Sequence, residues 1–205
     1  MRVTLINPNL DGFALHNAGL AYLISAIEDK HEVKLLDMTF HPKRYEKYIL
    51  SNINEFKPDI IGFSITSYIF IHALKIASLI RSRYPEIPLV YGGVHPTLMP
   101  EETIRHPLVD AICIVEGEIS FKEYLQRLEN KQGLKGVAGI WYKEATGNTI
   151  RNPLRPFIEN LDSLRFPNWD YWDIERYINN NIYFVDSLEH LTSRGCPFSC
   201  AFCSV

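Results

Sequence analysis

Five short apolar runs alternate with amphipathic segments over the first 130 residues, and that alternation leaves few folds open. The runs are Arg2–Asn7, Glu32–Asp37, Asp59–Ile65, Leu89–Tyr91 and Ala111–Val115. Between them stand segments with helical spacing. Ala18–Asp29 places Leu20, Leu23, Ile24 and Ile27 on one side of a helix, and Pro42–Phe56, Ile69–Tyr84, Pro100–Arg105 and Ser120–Asn130 also read as helices. Strands this rich in Val, Ile and Leu offer little face to water and need cover on both sides. Strand–helix alternation provides it as a parallel sheet between two helical layers. The simplest α/β solution is a doubly wound, parallel five-stranded sheet in the order 2-1-3-4-5.

The pattern changes after Lys131. Gly136–Tyr142 and Thr149–Arg151 flank Thr146-Gly147-Asn148, which predicts a C-terminal β-hairpin. Asn152 to Asn168 carries three prolines and reads as an extended linker. Trp169-Asp170-Tyr171-Trp172 is a dense aromatic patch suited to packing that linker onto a domain. Ile174–Asn181 predicts a short helix and Glu189–Ser193 a further strand. The chain thus divides into a sheet domain, 1–133, a hairpin and linker, 134–188, and a terminal segment, 189–205.

Composition narrows the partners. A net charge of -3 gives no reason to expect nucleic acid or an anionic membrane surface. Met1-Arg2 leads into an apolar run too short for a secretion signal. No stretch approaches the ~20 apolar residues of a membrane helix. Four cysteines, three of them clustered, do not make a stapled secreted domain and fit a reducing, cytoplasmic setting.

The cluster is Cys196-Pro197-Phe198-Ser199-Cys200-Ala201-Phe202-Cys203, a C-x3-C-x2-C triplet. Three thiolates so close can hold three corners of one iron–sulfur cube, which a fourth cysteine ordinarily closes. The only other cysteine, Cys113, lies far upstream in an apolar strand and reads as a small core residue. One iron would be left open to a small molecule. Zinc is the rival reading, with His190 as a fourth ligand.

This segment resembles the radical S-adenosylmethionine enzymes. They share the spacing, the polar-Arg-Gly step before it, here Leu191-Thr192-Ser193-Arg194-Gly195, and an aromatic, Phe202, before the last cysteine. The resemblance implies a 4Fe-4S cluster on Cys196, Cys200 and Cys203, with S-adenosylmethionine bound at the open iron. One electron, from a donor such as flavodoxin or ferredoxin, would generate a 5'-deoxyadenosyl radical. It also implies a barrel of which residues 189–205 are the first strand and cluster loop, hence a longer parent enzyme. The chain alone is then expected to catalyse nothing and to carry a disordered or cluster-free tail.

Open parallel sheets bind ligands at the carboxyl ends of their strands. The loops there are Asn7-Pro8-Asn9, Ser64-Ile65-Thr66-Ser67, Gly92-Gly93-Val94-His95-Pro96-Thr97 and Glu116-Gly117-Glu118. Glycine permits close backbone approach, and Ser and Thr supply short donors and acceptors. No G-x-G-x-x-G follows the first strand, which disfavours a dinucleotide site. Asn7 and Ser64 stand where a phosphoryl-accepting signalling domain needs acidic residues. Glu116 and Glu118 sit where carboxylates favour a helix N-terminus, so capping is expected of them ahead of ligand contact. His95 before Pro96 reads equally as a rigid loop element or a ligand contact.

Residues 1–130 resemble the cobalamin-binding domain that precedes the barrel in one class of these enzymes. The class includes methyltransferases and an anaerobic magnesium-porphyrin ester oxidative cyclase. Gly19-Leu20-Ala21-Tyr22-Leu23 is similar to that domain's first helix, and Gly62-Phe63-Ser64-Ile65-Thr66 to its third-strand loop. Gly92-Gly93-x-His95-Pro96-Thr97-x-x-Pro100-Glu101-Glu102 is similar to its fourth loop. The fifth loop reads G-E-G-E in the family, and here Val115 takes the place of the first glycine. The resemblance implies cobalamin contacts from Asn7, Pro8, Ser64, Thr66, Ser67, Gly92, Gly93, His95, Pro96, Glu116 and Gly117. The nucleotide tail would lie between the Ser64–Ser67 and Gly92–Gly93 loops, with the corrin ring over the sheet edge. Cobalamin-dependent mutases ligate cobalt through the His of D-x-H-x-x-G. Here Ala14 replaces the Asp ahead of His16 and Gly19, so a base-off state without His ligation is expected. The parent would act on a small-molecule substrate at an unactivated carbon, by methyl transfer or oxidative cyclisation. The alternative is a docking module of the same fold that no longer binds cobalamin.

Overall fold

The computed structural model describes residues 1–180, 191 and 193–203. Of the expected strand Glu189–Ser193, residues 189, 190 and 192 lie outside the described residues, and the candidate ligand His190 with them.

All five apolar runs form strands: β1 (Arg2–Asn7), β2 (Glu32–Asp37), β3 (Ile60–Ser64), β4 (Leu89–Gly92) and β5 (Ala111–Cys113). They pair in parallel in the expected order, β2-β1-β3-β4-β5. Six helices alternate with or follow them: α1 (Ala18–Ile27), α2 (Tyr45–Phe56), α3 (Phe70–Arg83), α4 (Val94–Leu98), α5 (Pro100–Arg105) and α6 (Gly117–Glu129). Successive strand residues point to opposite faces. Val3 and Leu5 therefore enter one core with Leu20, Ile24 and Phe121 of α1 and α6. Ile6, Ile61 and Phe63 enter the other, with Ile49, Ile53, Ile76 and Ile80 of α2 and α3.

Among the described residues the sheet has seven strands, not five. The hairpin forms as expected from β6 (Ile140–Lys143) and β7 (Thr149–Arg151), but β6 pairs antiparallel with β5 and so lengthens the same sheet. The physical reason is the open edge of β5, whose unpaired backbone groups would otherwise be left bare. Asn152 seals the junction. Its side chain accepts from Gly136 N at 2.7 Å and donates to Leu134 O at 3.0 Å and Ile140 O at 2.8 Å.

Three helix boundaries differ from expectation. His95-Pro96-Thr97 is helical in α4 and not a loop, because a proline in a first helical turn removes no hydrogen bond. α6 starts at Gly117, three residues before Ser120, so Glu118 belongs to a helix. α2 starts at Tyr45, after Pro42.

The proline-rich stretch is packed back along α1. Ser25 Oγ donates to Phe166 O at 2.7 Å, and Asn168 Nδ2 donates to Glu28 Oε2 at 2.9 Å. Trp172 is buried in the α1–α6 core, edge-on to Trp169 at 5.4 Å. The next helix, α7 (Ile174–Asn180), buries Tyr177, whose hydroxyl donates to Asp37 Oδ2 at 2.5 Å.

Burial lowers the pKa of His16, His31, His41, His95 and His106 below the usual imidazole value. The unfolded chain then binds protons that the folded one refuses, so stability falls as pH drops below about 6.5. Melting curves recorded from about pH 7.5 to 5 should show a steadily declining Tm. A flat Tm over that window would contradict the burial of these rings.

Candidate functional site

Two hollows meet at the carboxyl ends of the strands. The inner one, about 230 Å³, runs down between α1 and α6 to Leu5, Val90 and Phe121. The outer one, about 450 Å³, lies over the β1–β3 crevice, where the strand order reverses, and is walled by Asn9, Phe13, Leu15, Thr66, Tyr68 and Val94. Gly19, Ser64 and Gly93 belong to both walls.

Missing side chains make the inner hollow possible. A Cβ on Gly62 would come within 2.8 Å of Leu5 Cδ2, and one on Gly117 within 3.3 Å of Leu23 Cδ1. Gly93 has φ +96°, and its Cβ would stand 2.7 Å from Ile65 O. Only glycine tolerates that backbone angle without strain.

Short polar side chains hold the loops in register. Asn17 Oδ1 accepts from Leu20 N at 3.0 Å and caps α1, while its Nδ2 donates to Ser64 Oγ at 3.2 Å. Thr97 Oγ1 donates to Gly93 O and accepts from Val115 N, both at 2.9 Å. Val115 itself has φ +68°, the left-handed region that a β-branched residue avoids. The fifth loop therefore keeps a glycine-like backbone although valine occupies it. Val115→Gly should be more stable than Val115→Ala by about 1 kcal/mol, the reverse of the usual order of these residues. Urea denaturation of the two variants checks this, and a more stable alanine variant would show that the angle is not strained.

The carboxylates at the start of α6 do not cap it. Glu116 occupies the cap position but makes no capping bond. Its Oε2 accepts from Ile158 N at 2.6 Å and its Oε1 from Arg194 Nη1 at 3.0 Å. Glu118 Oε1 accepts from Arg194 Nη2 at 2.5 Å. The capping expectation fails because an arginine brought in from far along the chain offers both carboxylates a better donor.

Of the residues expected to touch a cofactor, Ser64, Gly92, Gly93, Glu116 and Gly117 line the inner hollow, and Asn7, Ser64, Thr66 and Gly93 the outer one. Asn7 is buried and donates to Asp37 Oδ1 at 3.0 Å. Pro8, Ser67, His95 and Pro96 line neither hollow. The His95 ring packs on Phe70 at 4.2 Å, with Nδ1 3.0 Å from Ser67 Oγ, while its buried Nε2 makes no hydrogen bond among the described residues. His16 is buried, stacked on Tyr177 at 4.3 Å. Its ring nitrogens make no hydrogen bond among the described residues.

Sequence reasoning missed Gly19, Tyr22, Val115, Cys113 and Arg194 as wall residues. Gly19 and Tyr22 were within reach, since they belong to the segment that resembled a family helix. Cys113 is a core residue as expected, with its thiol pushed up to about 12 by burial, yet it also forms part of the floor. Cys196, Cys200 and Cys203 are exposed. Among the described residues no three His, Cys, Asp or Glu side chains are gathered to hold a metal ion. No described helix is long and apolar enough to cross a membrane.

A glycine-walled hollow at the carboxyl end of a doubly wound parallel sheet defines a ligand-binding α/β domain. Residues 10–125 match the B12 binding domain family, and the chain belongs to it. It is 36% identical over 187 residues to an uncharacterized methyltransferase of Pyrococcus horikoshii, covering 91% of this chain and 40% of that protein. It is 28% identical over 216 residues to the anaerobic magnesium-protoporphyrin IX monomethyl ester cyclase of Rubrivivax gelatinosus, covering 100% of this chain and 38% of that one. The chain thus spans well under half the length of these relatives. Among solved structures it is similar to the cobalamin-dependent S-adenosylmethionine radical enzyme OxsB with aqua-cobalamin and S-adenosylmethionine bound. That match has TM-score 0.64 and 28% identity, over 76% of this chain and 22% of that one. The radical S-adenosylmethionine methyltransferase TsrM from Kitasatospora setae shares the fold, with TM-score 0.67 and 22% identity over 74% of this chain and 30% of that one. The family expected from the loops is the family found.

Proposed function

We propose that this chain holds cobalamin within a cobalamin-dependent radical S-adenosylmethionine enzyme. The observation that carries the reading is the glycine-walled groove that passes Gly93 and opens into the outer hollow. Its shape suits a nucleotide tail below and a corrin ring above. Gly62, Gly93 and Gly117 keep the groove clear, and Ser64 offers a hydroxyl where the hollows meet. Exposed Phe13, Leu15, Tyr68 and Val94 give a flat ring an apolar seat. Bound cobalamin would supply methyl carriage or electron-transfer chemistry. The chain's own part is to bind it, orient it and keep water from its lower face.

The reaction belongs to the whole protein. We assign it to methyl transfer or oxidative cyclisation on a small molecule in the cytoplasm, with a flavodoxin or ferredoxin as electron donor. Cys196, Cys200 and Cys203 have the spacing for its 4Fe-4S cluster and S-adenosylmethionine. Val115, which stands in place of the family's first fifth-loop glycine, keeps the glycine-like angle and so lends the docking-module alternative no support.

Titration with hydroxocobalamin, followed by visible absorption, tests the proposal. One equivalent should bind with a base-off spectrum. Gly117→Leu, which fills the groove from its wall, should weaken binding by at least about tenfold. A wild-type chain that leaves the spectrum unchanged at high micromolar cobalamin would end this reading.

A further inference from the structure

Arg194 lies across the mouth of the inner groove. Its two terminal nitrogens donate to Glu116 and Glu118, and its guanidinium lies 5.0 Å over the Tyr22 ring of α1. The two carboxylate side chains are only 15% and 7% exposed. Two carboxylates so little solvated and so close together need a cation, and removing one partner from such a group leaves uncompensated buried charge. A planar guanidinium that reaches both at once suits this geometry, which the point charge of a lysine does not. Arg194 also stands two positions before Cys196, so its anchorage holds the approach to the cysteine triplet.

We propose that Arg194 is a positioning residue with two linked tasks. It offsets one of the two charges of Glu116 and Glu118 at the groove mouth, so that an anionic ligand group meets less repulsion there. It also fixes the chain leading to Cys196 against the sheet domain. Occupancy of the groove and placement of the cysteine segment then form one equilibrium, and each must favour the other. This rests on the reading above, in which the groove takes the nucleotide tail of cobalamin, whose phosphodiester is the anion.

Two readouts on the full chain test it. Trypsin can cut after Arg194 only when the guanidinium has left both carboxylates, so the rate reports the released population. Without cobalamin, the Glu116→Gln/Glu118→Gln variant should be cut there at least about tenfold faster than wild type. Cleavage after exposed Arg165 serves as the control and should not change. Saturating hydroxocobalamin should slow wild-type cleavage after Arg194.

In the second readout, Arg194→Gln should bind hydroxocobalamin at least about tenfold more weakly, a loss of about 1.4 kcal/mol. Adding Glu116→Gln and Glu118→Gln to that variant should restore most of the affinity, since the repulsion is gone. A strap acting by bulk alone would not be rescued. Equal cleavage after Arg194 in wild type and the double variant overturns the anchorage. Unchanged affinity in Arg194→Gln, or no recovery in the triple variant, overturns the charge role. A wild-type chain that binds no hydroxocobalamin overturns the groove reading and the coupling with it, while the cleavage comparison still decides the anchorage.

Discussion

Gly93→Ala, which adds one methyl group, should cost about 2–4 kcal/mol of stability. Gly93 combines φ +96° with ψ -162°, a region that residues with a Cβ do not enter without strain. That torsion alone is worth roughly 1–3 kcal/mol. The new Cβ would also stand 2.7 Å from Ile65 O and 2.9 Å from Ile65 N. Ile65 cannot retreat freely, because its N donates to Gly92 O at 2.9 Å and its O accepts from His95 N at 3.1 Å. Moving it gives up a hydrogen bond worth about 0.5–1.5 kcal/mol and shifts the joint between the two hollows. Cobalamin affinity should therefore fall by at least about tenfold in whatever variant protein remains folded. Gly92→Ala is the control, since its Cβ would meet nothing closer than 3.8 Å. Urea denaturation of both variants decides the matter. If Gly93→Ala and Gly92→Ala unfold at the same midpoint, the strain argued for Gly93 is absent.

Removing the Tyr177 ring should cost about 3–5 kcal/mol, because it leaves a cavity in a closed core. The ring is fully buried, stacked on His16 and edge-on to Phe40 at 4.9 Å. Its hydroxyl lies 3.0 Å from Thr39 Oγ1 and donates to Asp37 Oδ2. The other oxygen of Asp37 accepts from Asn7 Nδ2 and from Thr39 Oγ1 at 2.7 Å. Burial, reinforced by Asp37, pushes the phenol pKa far up, so Tyr177 stays a donor wherever the chain is folded. Tyr177→Phe keeps the ring and deletes only the donor, and should cost about 1–3 kcal/mol by leaving Asp37 short of a partner. Hydrogen exchange should rise first in α7, which this side chain pins to the ends of β1 and β2. Were Tyr177→Phe as stable as wild type, with α7 equally protected, the Asp37 contact would carry no weight.

Some of this was legible and some was not, for identifiable reasons. The parallel order β2-β1-β3-β4-β5 followed from the near-continuous apolar runs, since only a sheet covered on both faces accommodates them. The hairpin was legible as a hairpin, from turn residues between apolar runs. Its pairing with β5 was not, because strand pairing depends on which edge lies open in space. α4 was read as a loop because it is one short turn with a proline in it. In the site, Gly92 and Gly93 looked alike as letters. Only the packed backbone separates them, one replaceable and the other not. His95 read equally as a loop element or a ligand contact, and only the fold shows that its ring packs on Phe70.

The sequence by itself determined the strand order, the end of the sheet where the hollows open and the family of the domain. Those properties follow from local periodicity and from short motifs that act through their own backbone. Tertiary structure alone decided that the hairpin completes the sheet and that Val115 keeps a glycine's angle. It also decided that Glu116 and Glu118 serve Arg194, which lies 78 and 76 residues further along the chain. A carboxylate at a helix start takes whichever donor the fold brings nearest, and no spacing along the chain encodes that choice.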